Sequence, residues 1–115
     1  MTYSHVYKLL TAEDGRVADA KGVTATALDE GDGYVHLSTA GQVAETARLH
    51  YAGKADTRLL AFRVADLPEL TWEESRGGQL FPHLYAPLEM KLVHKEWVLA
   101  LTEDGVPQMP EGLAE

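Results

Sequence analysis

His5-Val6-Tyr7-Lys8-Leu9-Leu10 alternates, with Val6, Lys8 and Leu10 on one side and His5, Tyr7 and Leu9 on the other, which predicts a strand. Thr11-Ala12-Glu13-Asp14 then reads as a helix start with acids in its first turn. Residues 15–32 show no clear period. Leu28-Asp29-Glu30-Gly31-Asp32-Gly33 is a turn by composition, because Gly and Asp relieve the backbone where φ turns positive. Tyr34-Val35-His36-Leu37-Ser38 predicts a short strand, and Thr39-Ala40-Gly41-Gln42 fits a capping box. The helix it starts should run from about residue 40 to 52. Ala40, Val43, Ala44, Ala47 and Tyr51 form its apolar stripe, and Gly53 suits a left-handed end. Arg58 to Val64 and Leu70 to Glu74 are further strands, separated by the turn Asp66-Leu67-Pro68. Met90 to Leu101 alternates as one long strand, and residues 102–115, polar with two prolines, read as a loose tail. Strands outnumber helices, and the connection from Leu60 to Trp72 is too short for a parallel crossover. The expected class is α+β, mostly antiparallel, with one main helix.

Composition narrows this to one domain over residues 1–115, with 45% apolar residues to build a core. There is no cysteine, so disulfides, thiolate metal sites and a cysteine nucleophile are excluded. The first ten residues hold no apolar run long enough for a signal sequence. The longest apolar stretch, Trp97 to Leu101, is strand-sized, so the expectation is a soluble cytoplasmic protein without membrane contact. The net charge of −8 comes from 18 acids against 10 scattered bases, which argues against extended nucleic-acid binding. A compact anionic ligand held by one or two arginines stays open, and the oligomeric state is not set by these features.

Two stretches carry candidate chemistry. On a strand, Tyr34, His36 and Ser38 share a face while Val35 and Leu37 point to the core. The second stretch is Arg76-Gly77-Gly78-Gln79-Leu80-Phe81-Pro82-His83-Leu84-Tyr85. Its glycines allow close backbone approach to a ligand, and Phe81, His83 and Tyr85 share a face if the segment is extended. Pro82 argues against a central strand there. The expectation is that both stretches form one site that stacks a planar ring and pairs with a phosphate through Arg76 and the N–H groups near Ser38 and Thr39. Glu73, beside the core-facing Trp72, is the carboxylate placed to join them.

The order Tyr7-Lys8-Leu9-Leu10, Asp32-Gly33-Tyr34-Val35-His36-Leu37-Ser38-Thr39, Gln42-Val43, Leu59-Leu60, Trp72-Glu73, Arg76-Gly77-Gly78 and Phe81-Pro82-His83-Leu84-Tyr85 resembles the bacterial family called domain of unknown function nine hundred fifty-two. The resemblance covers nearly the whole chain. It implies a compact, split antiparallel sheet of the ADP-ribosyltransferase-like kind, which holds NAD in a central cleft. It further implies His36 at the ribose next to nicotinamide, Tyr85 or Phe81 stacked on the nicotinamide, and Glu73 supporting the transition state. The second histidine, His83, departs from the tyrosine or arginine pattern of such enzymes.

Three readings follow. The first is an ADP-ribosyltransferase-like transferase or glycohydrolase with His36, His83 and Glu73 catalytic and Tyr34, Ser38, Arg76, Phe81 and Tyr85 holding NAD or an ADP-ribosyl compound. The second is a non-catalytic module for a nucleotide-like, anionic small molecule or metabolite. The third is a metal site of His36, His83 and Glu73, although none of these lies at a recognised metal-ligand spacing.

Overall fold

The structure is a computed structural model that describes residues 2–115, with Arg76 described by its backbone alone. Six strands and three α-helices follow the order β1 (His5–Leu10), α1 (Ala12–Lys21), α2 (Ala27–Asp32), β2 (Val35–His36), α3 (Ala40–His50), β3 (Thr57–Arg63), β4 (Leu70–Glu74), β5 (Leu80–Leu84) and β6 (Lys95–Leu99). The strands form two antiparallel three-stranded sheets, β1-β3-β6 and β2-β5-β4. The α+β antiparallel class therefore stands, with three helices in place of one.

In the first sheet β1 and β3 are buried on both faces, while β6 is largely exposed. Tyr7, Leu9, Leu59 and Ala61 pack with Val43 and Ala47 of α3, while Val6, Leu10, Leu60 and Phe62 pack with Val35, Leu37 and Leu84 of the second sheet region. Burial on both sides stabilises the sheet by roughly 25 cal/mol per Å² of apolar surface. It also carries Lys8 into the interior between Val6 and Leu10. The sheets meet where Tyr7 and Ser38 exchange backbone hydrogen bonds, at 2.7 Å from Tyr7 N to Ser38 O and 2.9 Å from Ser38 N to Tyr7 O. A cavity lies beside that bridge, lined in part by Tyr7 and Ser38.

Residues 27–32 are helical rather than a turn. Thr26 accepts from Asp29 N at 3.2 Å to start α2, and Gly33, at φ 82°, closes it. The same acids and glycines that suggested a turn are the two ends of a six-residue helix. Gly15 is glycine for another reason: a Cβ there would lie 2.6 Å from the Arg58 side chain, which crosses α1 to reach Asp19 and Glu96.

Pro82 does sit in a central strand. Its carbonyl accepts from Leu37 N, and in a strand a residue's N and C=O face the same neighbour, so the missing N–H falls where the two-residue β2 has already ended. The expected strand from Met90 to Leu101 is only β6. Met90–Leu92 form a 3-10 turn whose Met90, Leu92 and Val93 pack against the first core cluster. On α3, Ala44 is exposed, so the stripe is narrower than its alanines suggest. Residues 102–115 are docked, not loose: Met109 and Leu113 pack beneath α3, and Ala114 O accepts from Tyr7 Oη at 2.6 Å. No helix among the described residues is long and apolar enough to cross a membrane.

Candidate functional site

The expected meeting of the two stretches occurs on the β2-β5 pair. His36 lies opposite His83 in the register, and their ring centroids are 5.5 Å apart. Tyr34 bridges them, with its ring 4.5 Å from His36, 4.2 Å from His83 and 5.3 Å from Tyr85. Glu73 reaches the group from β4. Its Oε1 lies 2.8 Å from His83 Nδ1 and accepts from Tyr85 Oη at 2.7 Å. These two hydrogen bonds, His83's first, hold the Glu73 carboxyl below its ordinary value, and the bond to Glu73 raises the Tyr85 phenol. Burial, then the charges of Asp32, Glu73 and Asp29, raise Tyr34.

Sequence reasoning missed the support behind His36. Asp29, at the third position of α2, accepts at Oδ1 from His36 N at 3.1 Å and lies 2.6 Å from His36 Nδ1. Its other oxygen accepts from Lys8 Nζ at 2.7 Å, and Lys8 also donates to His36 O at 3.0 Å. Burial alone would raise Asp29. The hydrogen bond from His36 and the charge and hydrogen bond of Lys8 outweigh it and leave the carboxyl below its ordinary value. Burial lowers Lys8, and Asp29 opposes that. On the far side of the ring, His36 Nε2 lies 3.0 Å from Asp32 Oδ2. The signal for this network was present: Lys8 alternates with Val6 and Leu10, and a buried ammonium requires a carboxylate.

A cavity of about 660 Å³ opens beside the bridge between the sheets. His36, His83, Ser38 and Phe81 line it, with Tyr51 and Lys54 at the end of α3. Tyr51 Oη donates to Leu9 O at 3.0 Å, and burial, with the charges of Asp29 and Asp14, pushes this phenol up to about 12. Tyr34 and Tyr85 face a separate, shallower depression, and Glu73 does not line the cavity. Of the two rings expected to stack on a ligand, Phe81 is therefore the one presented to it.

The expected phosphate donors are already used. Ser38 N donates to Tyr7 O, and Thr39 N donates to Gln42 Oε1 at 3.0 Å in the capping box. The Arg76 side chain lies outside the described residues. Gly77 and Gly78, at φ 69° and 76°, form the tight connection from β4 to β5, which accounts for both without a ligand. Lys54 lines the cavity and pairs with no carboxylate among the described residues. No group of three or more His, Asp or Glu among the described residues is arranged to hold a metal. His36, His83 and Glu73, the residues of the metal reading, therefore form no such group.

With this geometry in view, residues 9–96 match the model of the family described as Protein of unknown function (DUF952). The chain belongs to this family. No match is found among curated proteins. The crystal structure of protein CC0527 from Caulobacter crescentus superposes with a TM-score of 0.87 at 43% identity, covering 91% of this chain and 94% of that one. Its solution NMR structure gives 0.80 at 43% identity, with 90% and 91% covered. The DUF952 match runs from the end of β1 to the start of β6 and so includes Asp29, His36, Glu73 and His83.

Proposed function

We propose that this DUF952 protein binds NAD or an ADP-ribosyl compound in the cavity between its sheets and acts on it as a transferase or glycohydrolase. The observation that carries the reading is the convergence of His36 and His83, 5.5 Å apart, on one cavity of about 660 Å³. The two antiparallel sheets, joined at the Tyr7–Ser38 bridge, support an ADP-ribosyltransferase-like assignment of the fold. A volume in this range suits a ligand of several rings.

In such a reaction the bond between the anomeric carbon and nicotinamide breaks with its electron pair on nicotinamide. A water or acceptor hydroxyl bonds to that carbon and gives up its proton to the surrounding water. The residues supply position and field rather than a strong nucleophile. His36 holds a ribose oxygen, Phe81 stacks on the planar ring, and the carboxylates behind both histidines favour the positive charge that develops on the sugar. Lys54 replaces the spent N–H groups as the phosphate contact.

A second reading, a non-catalytic nucleotide- or metabolite-binding module, is favoured by one observation. Glu73, the carboxylate expected to support the transition state, is engaged by His83 and Tyr85 and does not line the cavity. Thermal unfolding with NAD, ADP-ribose or nicotinamide at millimolar concentration tests both readings. Saturation a hundredfold above Kd adds about 2.7 kcal/mol, a shift of several degrees. Chromatography then follows nicotinamide release from NAD. Stabilisation with release that His36→Ala abolishes supports the enzyme, stabilisation without release leaves the module, and no stabilisation by any of the three overturns the proposal.

A further inference from the structure

We infer that the two carboxylates on His36 have different tasks: Asp29 is a positioning residue that holds the ring with Nε2 toward the ligand, and Asp32 occupies Nε2 in place of a neutral hydroxyl that the ligand brings. The choice of ligand rests on the reading of the cavity given above. The division between the carboxylates does not.

The two contacts differ in every respect that decides permanence. The Asp29 side chain is 7% exposed, and three donors converge on its two oxygens: Lys8 Nζ, His36 N and His36 Nδ1. An ionised carboxylate can satisfy all three, so the ring must donate from Nδ1. The Asp32 side chain is 44% exposed, at the last position of α2. It lies 3.0 Å from Nε2 and, among the described residues, makes no other ion pair. Displacing it returns a carboxylate to water at little cost, as for other exposed ion pairs.

The same geometry sets the kind of group that takes its place. The His36 ring sits between Asp29 at Nδ1 and Asp32 at Nε2, and Glu73 stands behind the neighbouring His83. A phosphate oxygen brought to this group of carboxylates would meet like charge, whereas a hydroxyl, which can donate as well as accept, would not. The group at His36 is therefore neutral, and any anionic part of the ligand lies toward Lys54.

The test has one arm without ligand and one with it. In ¹⁵N–¹H spectra of the histidine rings, Asp32→Asn should shift the His36 Nε2 resonance and leave Nδ1 in place, while Asp29→Asn should shift Nδ1. Should Asp29→Asn fail to fold, the double variant Lys8→Met/Asp29→Asn, which removes the buried cation as well, carries that arm. An Nε2 signal unmoved by Asp32→Asn, or an Nδ1 signal unmoved by loss of Asp29, overturns the division. In calorimetric titration, Asp32→Asn should bind ADP-ribose about threefold more tightly than wild type. Unchanged or weaker binding by the variant overturns the stand-in role. If ADP-ribose binds neither protein, the ligand reading fails and the ring spectra alone decide the inference.

Discussion

His36 and His83 face the same tyrosine ring and each has a carboxylate at Nδ1, yet the two pairs are built differently. Asp29, behind His36, is buried and shared with the buried Lys8. Glu73, behind His83, is half-exposed and shared with Tyr85, while His83 itself is the more enclosed ring, its side chain 4% exposed against 27% for His36. On one side the carboxylate is buried and the ring is partly exposed. On the other the ring is buried and the carboxylate is partly exposed. A buried carboxylate that satisfies a buried ammonium is part of what keeps the fold together, whereas an exposed one can be removed with its effects confined to the ring it touches.

The largest expected effect breaks the first pair. Asp29→Ala leaves the Lys8 ammonium without its partner in the interior and should cost about 3 kcal/mol in urea unfolding, as for other broken buried pairs. A much smaller loss would mean that Lys8 finds another acceptor. Acid should reveal the same pair next. Because the folded Asp29 carboxyl is held below its ordinary value of 3.8, the stability it contributes is complete above that value and declines as pH falls through the lower folded one. Urea midpoints measured through this range should fall for wild type and flatten in Lys8→Met/Asp29→Asn. Glu73→Ala should lower Tm far less than Asp29→Ala while moving the His83 ring resonances, and an equal loss in both variants would erase the contrast between the pairs. The smallest effect belongs to Tyr85→Phe, which removes one of two donors to Glu73 and should let its carboxyl titrate nearer the ordinary 4.5 in ¹³C spectra, with Tm almost unchanged.

Much of this was legible in the chain. The alternation of Tyr34 and His36 with Val35, and of His83 and Tyr85 with Leu84, placed the rings on one face before any pairing was known. The capping box at Thr39 and Gln42 fixed the start of α3. What was not legible depended on partners distant in sequence. Lys8 meets Asp29 across 21 residues, the tail docks against β1 across more than a hundred, and Pro82 is tolerated only because its neighbour β2 is two residues long. Residues 27–32 failed for a local reason, since a six-residue helix flanked by cap residues has the composition of a turn.

The central claim is that the two histidines form one ligand site, and titration of the histidine Cε1–H resonances with ADP-ribose tests it most directly. His36→Gln and His83→Gln assign the two signals. His5 and His94, which pair with each other at 5.2 Å, serve as internal controls. The account predicts that the His36 and His83 signals move along one saturation curve with a single Kd while His5 and His94 stay in place. Movement of only one of them, or of neither, would contradict it.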